Sequence, residues 1–136
     1  MEYDAYQSET AIIARKQELL LDAVRKRLET GETLSELEQN GVLHSFQILI
    51  ENSIGKAKQI LKLHNEPTPT SAYDAFALLV QKDLIPSAEL SMWQAAVGLR
   101  NRIVHDYMNL DMEIVLELVK NRQYQPITDF LLTPIV

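Results

Sequence analysis

The residues of this 136-residue chain whose types and spacing suit chemistry gather in one stretch, Gly98-Leu99-Arg100-Asn101-Arg102-Ile103-Val104-His105-Asp106-Tyr107. Polar and titratable groups interrupt an otherwise apolar helical pattern there. Read as helix, the stretch extends a stripe that begins at Leu90, passes Trp93 and Val97, and reaches Arg100 and Val104 at steps of three or four residues. Arg100 is therefore expected in line with core residues. A guanidinium stays charged, so on such a face it needs a carboxylate, a phosphate or a route to water. Asn101 and His105 stand one helical ridge apart, so the amide can hold one imidazole nitrogen and leave the other free for proton transfer. Tyr107 follows where the helix is ending and offers a phenolic hydroxyl for hydrogen bonding or modification. From spacing alone, the plain alternative is that Arg100 pairs with Asp106, Asp111 or Glu51 and His105 satisfies a backbone carbonyl.

Other chemistries find less support. The chain has no cysteine, so thiol chemistry and disulfides are excluded. His44 and His64 have no companion at metal-ligand spacing and read as surface or packing residues. The four glycines, at 31, 41, 55 and 98, are isolated, which leaves no Gly-rich phosphate loop. No serine sits in a Gly-x-Ser-x-Gly elbow, and no spacing argues for a paired-carboxylate site. The start Met1-Glu2-Tyr3-Asp4 is acidic where a signal peptide would be basic, and no apolar run reaches membrane-spanning length, so a cytoplasmic location without membrane contact is the default expectation. Thirteen basic against nineteen acidic residues give a formal charge of −6, which disfavours broad adhesion to nucleic acid. Any positive potential for RNA must be local, and Arg100 and Arg102 can supply it.

The elements that must position the motif all read as helices. Length and composition, 46% hydrophobic and 24% charged, suit one globular domain over residues 1–136. A long amphipathic helix runs from about Tyr3 to Glu29, with Ile13, Leu20, Val24 and Leu28 inward and Arg15, Lys16, Glu18, Arg25 and Lys26 toward water. The run Arg25-Lys26-Arg27 reads as a solvated, dipole-favourable last turn before Gly31, with RNA contact the lesser reading. Thr33 and Glu36 are spaced as a capping box, and Asn40-Gly41 as a break. From about Val42 to His64, Leu43, Phe46, Ile50, Ile54, Ala57 and Leu61 share an apolar face. Gln47 and Glu51 lie a turn apart on the polar side. Prolines 67 and 69 set a loop; Ser71 caps a third helix burying Ala75, Leu78 and Leu79; and Pro86 opens the fourth, which carries the motif and its Trp93 anchor. Asp111 caps a last helix with Ile114, Val115, Leu118 and Val119 inward, which Pro126 kinks or restarts to give Ile127, Phe130 and Leu131. The fold class expected is all-α, an up-and-down bundle of four to five helices.

Late in a short all-helical chain, Arg100, four residues, His105, one residue and Tyr107 resemble the Arg-x4-His-x-Tyr signature of the HEPN superfamily, specifically its HepT-like branch; Asn101 and the pair Ile103-Val104 also look like that branch. The resemblance implies a helical-bundle homodimer with metal-independent ribonuclease activity and no cofactor. Such a protein is the toxin of a prokaryotic HepT/MNT toxin-antitoxin pair, and its partner antitoxin, an MNT-type nucleotidyltransferase, AMPylates the motif tyrosine, here Tyr107. It also implies that Glu51, with Gln47 in the second helix, helps orient Arg100.

On this reading an RNA phosphodiester is cleaved by its own 2′-hydroxyl. Imidazoles ordinarily titrate at about pH 6.5, so His105 takes or gives the proton. Arg100 stabilises charge on the phosphate oxygens, Asn101 fixes the His105 tautomer or binds phosphate, and Arg102 adds field or a backbone contact. On an ideal helix Arg100 and His105 point about 140° apart. A site shared across a twofold axis, or a helix that unwinds near Asp106, is needed to bring them together. The alternative function is a nonenzymatic HEPN-type subunit that binds a nucleotidyltransferase and presents nucleotide or substrate to it.

Overall fold

The structure, a computed structural model, describes residues 2–135; Met1 and Val136, the ends of the expected domain, lie outside the described residues. The α-helices are α1 (Glu2–Glu29), α2 (Glu36–Leu63), α3 (Ala72–Gln81), α4 (Leu90–Asp106), α5 (Met112–Lys120) and α6 (Gln125–Leu132), with 3-10 turns at Ser87–Glu89 and Tyr107–Asn109. The described residues thus form six α-helices and no strand, where four to five helices were expected. The last expected helix is two: α5 stops, Arg122 takes φ +53°, and α6 restarts with Pro126 in its first turn, where the missing N–H has no helical partner to lose. Among the described residues no helix is long and apolar enough to cross a membrane.

Local signals explain most helix ends, with two corrections. The capping box is Ser35 with Glu38 instead of Thr33 with Glu36: Glu38 N–H donates to Ser35 Oγ at 3.1 Å, and Ser35 N–H to Glu38 Oε1 at 2.9 Å. Asn40-Gly41 does not break the chain. A helical glycine costs about 1 kcal/mol relative to alanine, and the burial of Val42, Leu43 and Phe46 directly after it outweighs that.

In α1, Val24 and Leu28 pack against the core as expected, but the buried line is offset from the expected face. That line is Thr10, Ala14, Gln17, Leu21 and Arg25, while Leu20 is 49% exposed. Arg25, expected in water, is buried because its guanidinium donates to Glu29 at 2.8 Å and lies 3.9 Å from Asp22. Arg27 pairs with Glu38 and Glu32. Within the basic run, Arg25 is buried, whereas Lys26 is exposed and Arg27 partly exposed in the last turn as expected; carboxylates hold the two arginines. In α5, Val115 and Val119 are buried, but Ile114, expected inward, faces out.

One continuous core draws on all six helices. α6 packs on both α1 and α2, so the end of the chain closes the bundle against its beginning. Thr128 Oγ1 and Gln125 Nε2 each donate to Glu18 Oε2 at 3.0 Å, and the buried Tyr124 hydroxyl donates to Asp22. Lys56, in the middle of α2, is fully buried and donates to the carbonyls of Phe130 (2.6 Å), Leu131 (3.4 Å) and Thr133 at the end of α6. A cation suits these carbonyls, which the helix itself leaves unpaired.

Candidate functional site

The orientation of α4 is set by an aromatic cluster. Trp93 is fully buried, stacks on Phe76 of α3 with ring centroids 4.4 Å apart, and meets Phe130 of α6 edge-on at 4.8 Å. Ala96, Val97 and Ile103 continue the buried side. The stripe departs from expectation at its end: Val104 is 44% exposed, and Ile103 takes the inward position in that turn.

With α4 fixed this way, Arg100 emerges beside α2. Its Nη1 lies 3.7 Å from Glu51 Oε2, and Glu51 Oε1 accepts from Gln47 Nε2 at 3.4 Å. Of the three carboxylates that spacing allowed, Glu51 is the partner. Arg100 Nε is buried without a hydrogen-bond partner, a donor that ordinarily costs about 1–3 kcal/mol to leave unsatisfied. An acceptor with several oxygens, such as a phosphate, would relieve it.

The outward side carries the remaining polar groups. Asn101 is half-buried and His105 exposed. Among the described residues no hydrogen bond joins them, so the expected amide–imidazole pairing is not formed in this structure. Arg102, expected to be available to substrate, donates from Nη2 to the Asn109 carbonyl at 3.1 Å. α4 keeps helical geometry through His105, so unwinding does not swing His105 toward Arg100; Asp106, its last residue, is where the backbone departs, at φ −153°. The two side chains depart about 140° apart around one unbroken helix.

Beyond Asp106 the chain makes the 3-10 turn that begins at Tyr107. Asn109 Nδ2 donates to Asp106 Oδ1 at 2.7 Å, and Asp111 caps α5 by accepting from Glu113 N–H at 3.0 Å. Held between these contacts, Tyr107 is 56% exposed and Met108 is 80% exposed. The tyrosine is thus presented to solvent on a braced turn.

Tyr73 of α3 is a neighbour that the sequence reading overlooked. Its hydroxyl oxygen lies 3.4 Å from where a Cβ would stand on Gly98, one turn before Asn101 and Arg102. The lack of a side chain at position 98 is the signal that could have suggested a close approach. His44 and His64 join no metal-binding group, and among the described residues no cluster of His, Cys, Asp or Glu is suited to hold a metal ion. A cavity of about 800 Å³ between Lys56, His64, Glu89 and Phe130 contains none of the motif residues.

Fold and site define a small all-helical protein that displays an arginine, a histidine and a tyrosine at the outer end of one late helix. The chain belongs to the HepT-like ribonuclease family, whose pattern, described as "Ribonuclease HepT-like", matches residues 12–133. It is 35% identical over 83 residues to the mRNA nuclease HepT of Shewanella oneidensis, an alignment covering 61% of this chain and 62% of that protein. Its fold is similar to a chain from a toxin-antitoxin complex crystallised with AMP-PNP, with a TM-score of 0.77 at 23% identity over 93% of this chain and 97% of that one. It is also similar to a chain from the tri-AMPylated Shewanella oneidensis HEPN toxin in complex with MNT antitoxin, with a TM-score of 0.65 at 27% identity over 88% of this chain and 96% of that one.

Proposed function

We propose that this protein is the ribonuclease toxin of a toxin-antitoxin pair, that it acts as a homodimer, and that an MNT-type nucleotidyltransferase neutralises it by AMPylating Tyr107. The observation that carries the reading is the motif at the end of α4: Arg100 with an unpaired buried Nε, His105 exposed, and Tyr107 presented on the following turn. Membership of a ribonuclease family supports reading this arrangement as the site of RNA cleavage, and the toxin and antitoxin of Shewanella oneidensis supply the pattern for the partner.

The 2′-oxygen of the RNA attacks phosphorus and the P–O5′ bond breaks, leaving a 2′,3′-cyclic phosphate and a 5′-hydroxyl. The proton lost from the 2′-hydroxyl and the proton gained by the 5′-oxygen pass through His105 and solvent. Arg100 stabilises the charge that builds on the phosphate oxygens, and Glu51 holds the guanidinium in place. Asn101 binds phosphate or fixes the imidazole, and Arg102 steadies the turn while adding positive potential. Arg and His together supply charge stabilisation and proton transfer, a set sufficient for metal-independent cleavage without a cofactor.

The geometry of α4 supports the homodimer. Since Arg100 and His105 diverge on one helix, a twofold axis beside its outer end combines groups from two subunits. Val104 and Met108 offer exposed apolar surface for that contact.

The test is cleavage of RNA by the antitoxin-free protein with a chelator present. Wild type is expected to cut, and His105→Ala and Arg100→Ala each to lose about 10²–10³-fold in rate while keeping the wild-type oligomeric state. A folded, unmodified wild type that cuts no RNA would instead assign the chain to the nonenzymatic role of presenting nucleotide or substrate to a nucleotidyltransferase.

A further inference from the structure

We propose that Tyr73 is a wall of the RNA-binding groove, where its ring stacks on a nucleobase about three nucleotides from the scissile phosphate and sets base preference there; this rests on the ribonuclease reading above.

The geometry points there from three sides. First, α4 is unbroken from Leu90 to Asp106, so Gly98, Asn101, Arg102 and His105, at positions i, i+3, i+4 and i+7, form one ridge. Gly98 is the bare position on it. Second, the Tyr73 hydroxyl lies 3.4 Å from the place a Gly98 Cβ would take, so the phenol closes one end of that ridge. Third, Tyr73 is 40% exposed, and among the described residues its hydroxyl makes no hydrogen bond. The ring is therefore partly available to a ligand.

From Gly98 to His105 the helix rises about 10 Å, or about three steps of a stacked nucleic-acid strand. Laid along this ridge, a single strand meets Tyr73 first, then Asn101 and Arg102, then the imidazole. An aromatic face followed by amide and cationic donors is a recurring means of holding single-stranded nucleic acid, with bases stacked on the ring and the backbone met by polar groups. Tyr73 is a positioning and specificity residue, distinct from the groups that move protons.

The experiment uses short single-stranded RNAs that differ by one base at successive positions out to about three nucleotides from the cut site. kcat and KM are measured for wild type, Tyr73→Phe and Tyr73→Leu, and Kd for the same RNAs by fluorescence anisotropy on His105→Ala with and without Tyr73→Leu. Removing a base-stacking ring is expected to raise KM and Kd by about 5- to 100-fold, to leave kcat nearly unchanged, and to flatten the preference among bases. Tyr73→Phe, which keeps the ring, should behave as wild type. Gly98→Leu fills the contact from the α4 side, displaces the ring, and should reproduce the KM and preference changes whether or not Tyr73→Leu folds. Unchanged KM, Kd and preference in the folded variants would overturn the proposal. So would Tyr73→Phe being as impaired as Tyr73→Leu, because the hydroxyl would then be the active feature. If wild type cuts RNA, His105→Ala does not, and the Tyr73 and Gly98 variants match wild type, this inference alone fails. If wild type neither cuts nor binds RNA, the ribonuclease reading fails and takes this one with it.

Discussion

Arg100 and Glu51 face each other across the α2–α4 interface, with Nη1 3.7 Å from Oε2, and the same guanidinium keeps a buried Nε without a partner. This is a loose ion pair between partly exposed groups, which aims the arginine more than it stabilises the bundle. Exposed pairs of this kind are worth about 0–1 kcal/mol. Glu51→Gln is therefore expected to leave the melting temperature almost unchanged while lowering kcat/KM for RNA by about fivefold, the equivalent of about 1 kcal/mol. Thermal melting and cleavage kinetics on the same preparation check it; equal kinetics would remove Glu51 from the site.

Tyr107 protrudes from a turn braced by Arg102, Asn109 and Asp111. Because its ring is not in the core, Tyr107→Phe should keep the fold and the oligomeric state and lose the site of nucleotide attachment. Intact-mass spectrometry after incubation with the nucleotidyltransferase and ATP reads the outcome. Adenylate added elsewhere, with undiminished neutralisation, would defeat the assignment.

Lys56 joins the middle of α2 to the end of α6. Burial pulls its ammonium from 10.5 down to about 8. Between those values the unfolded chain holds a proton that the folded chain has released, so this group makes stability rise as pH increases from about 8 to 10.5. Lys56→Met should lack that rise. At neutral pH it should also be destabilised by about 2–3 kcal/mol, because the carbonyls at the end of α6 lose their donor. Denaturant titrations of both proteins across the alkaline range test the slope.

Glu38 gives a slope of the same sign at the acid end, since its folded value is also lowered. Arg27, with help from the Ser35 backbone N–H, holds its carboxyl at about 2. The folded value lies below the ordinary 4.5, so the stabilisation is complete above about 4.5 and is lost as pH falls toward 2. The stability difference between wild type and Glu38→Gln should accordingly shrink over that acid range. A difference that stays constant down to pH 3 would show that the pairing with Arg27 contributes little in solution.

What the sequence by itself determined is whatever depends on near neighbours along the chain. The apolar face of α2, the Ser71 and Asp111 caps, the loop at Pro67 and Pro69, and the end of α4 just before Tyr107 were legible because helical periodicity and capping act over three or four residues. So was the motif string, whose meaning lies in residue types and spacing. Tertiary structure decided the rest, because packing sets how each helix turns about its axis and which polar groups lose water. In α1, ties to α5 and α6 replaced Leu20 with Leu21 and buried Arg25. In α2, helical packing outweighed the weak break at Asn40-Gly41, and three carbonyls 74 to 77 residues away gave Lys56 a reason to be inside. In α4, the stacking of Trp93 on Phe76 fixed the rotation that sends Arg100 toward Glu51 and His105 to the other side. A local pattern can place both residues on one helix, but the direction each faces depends on contacts made by distant parts of the chain.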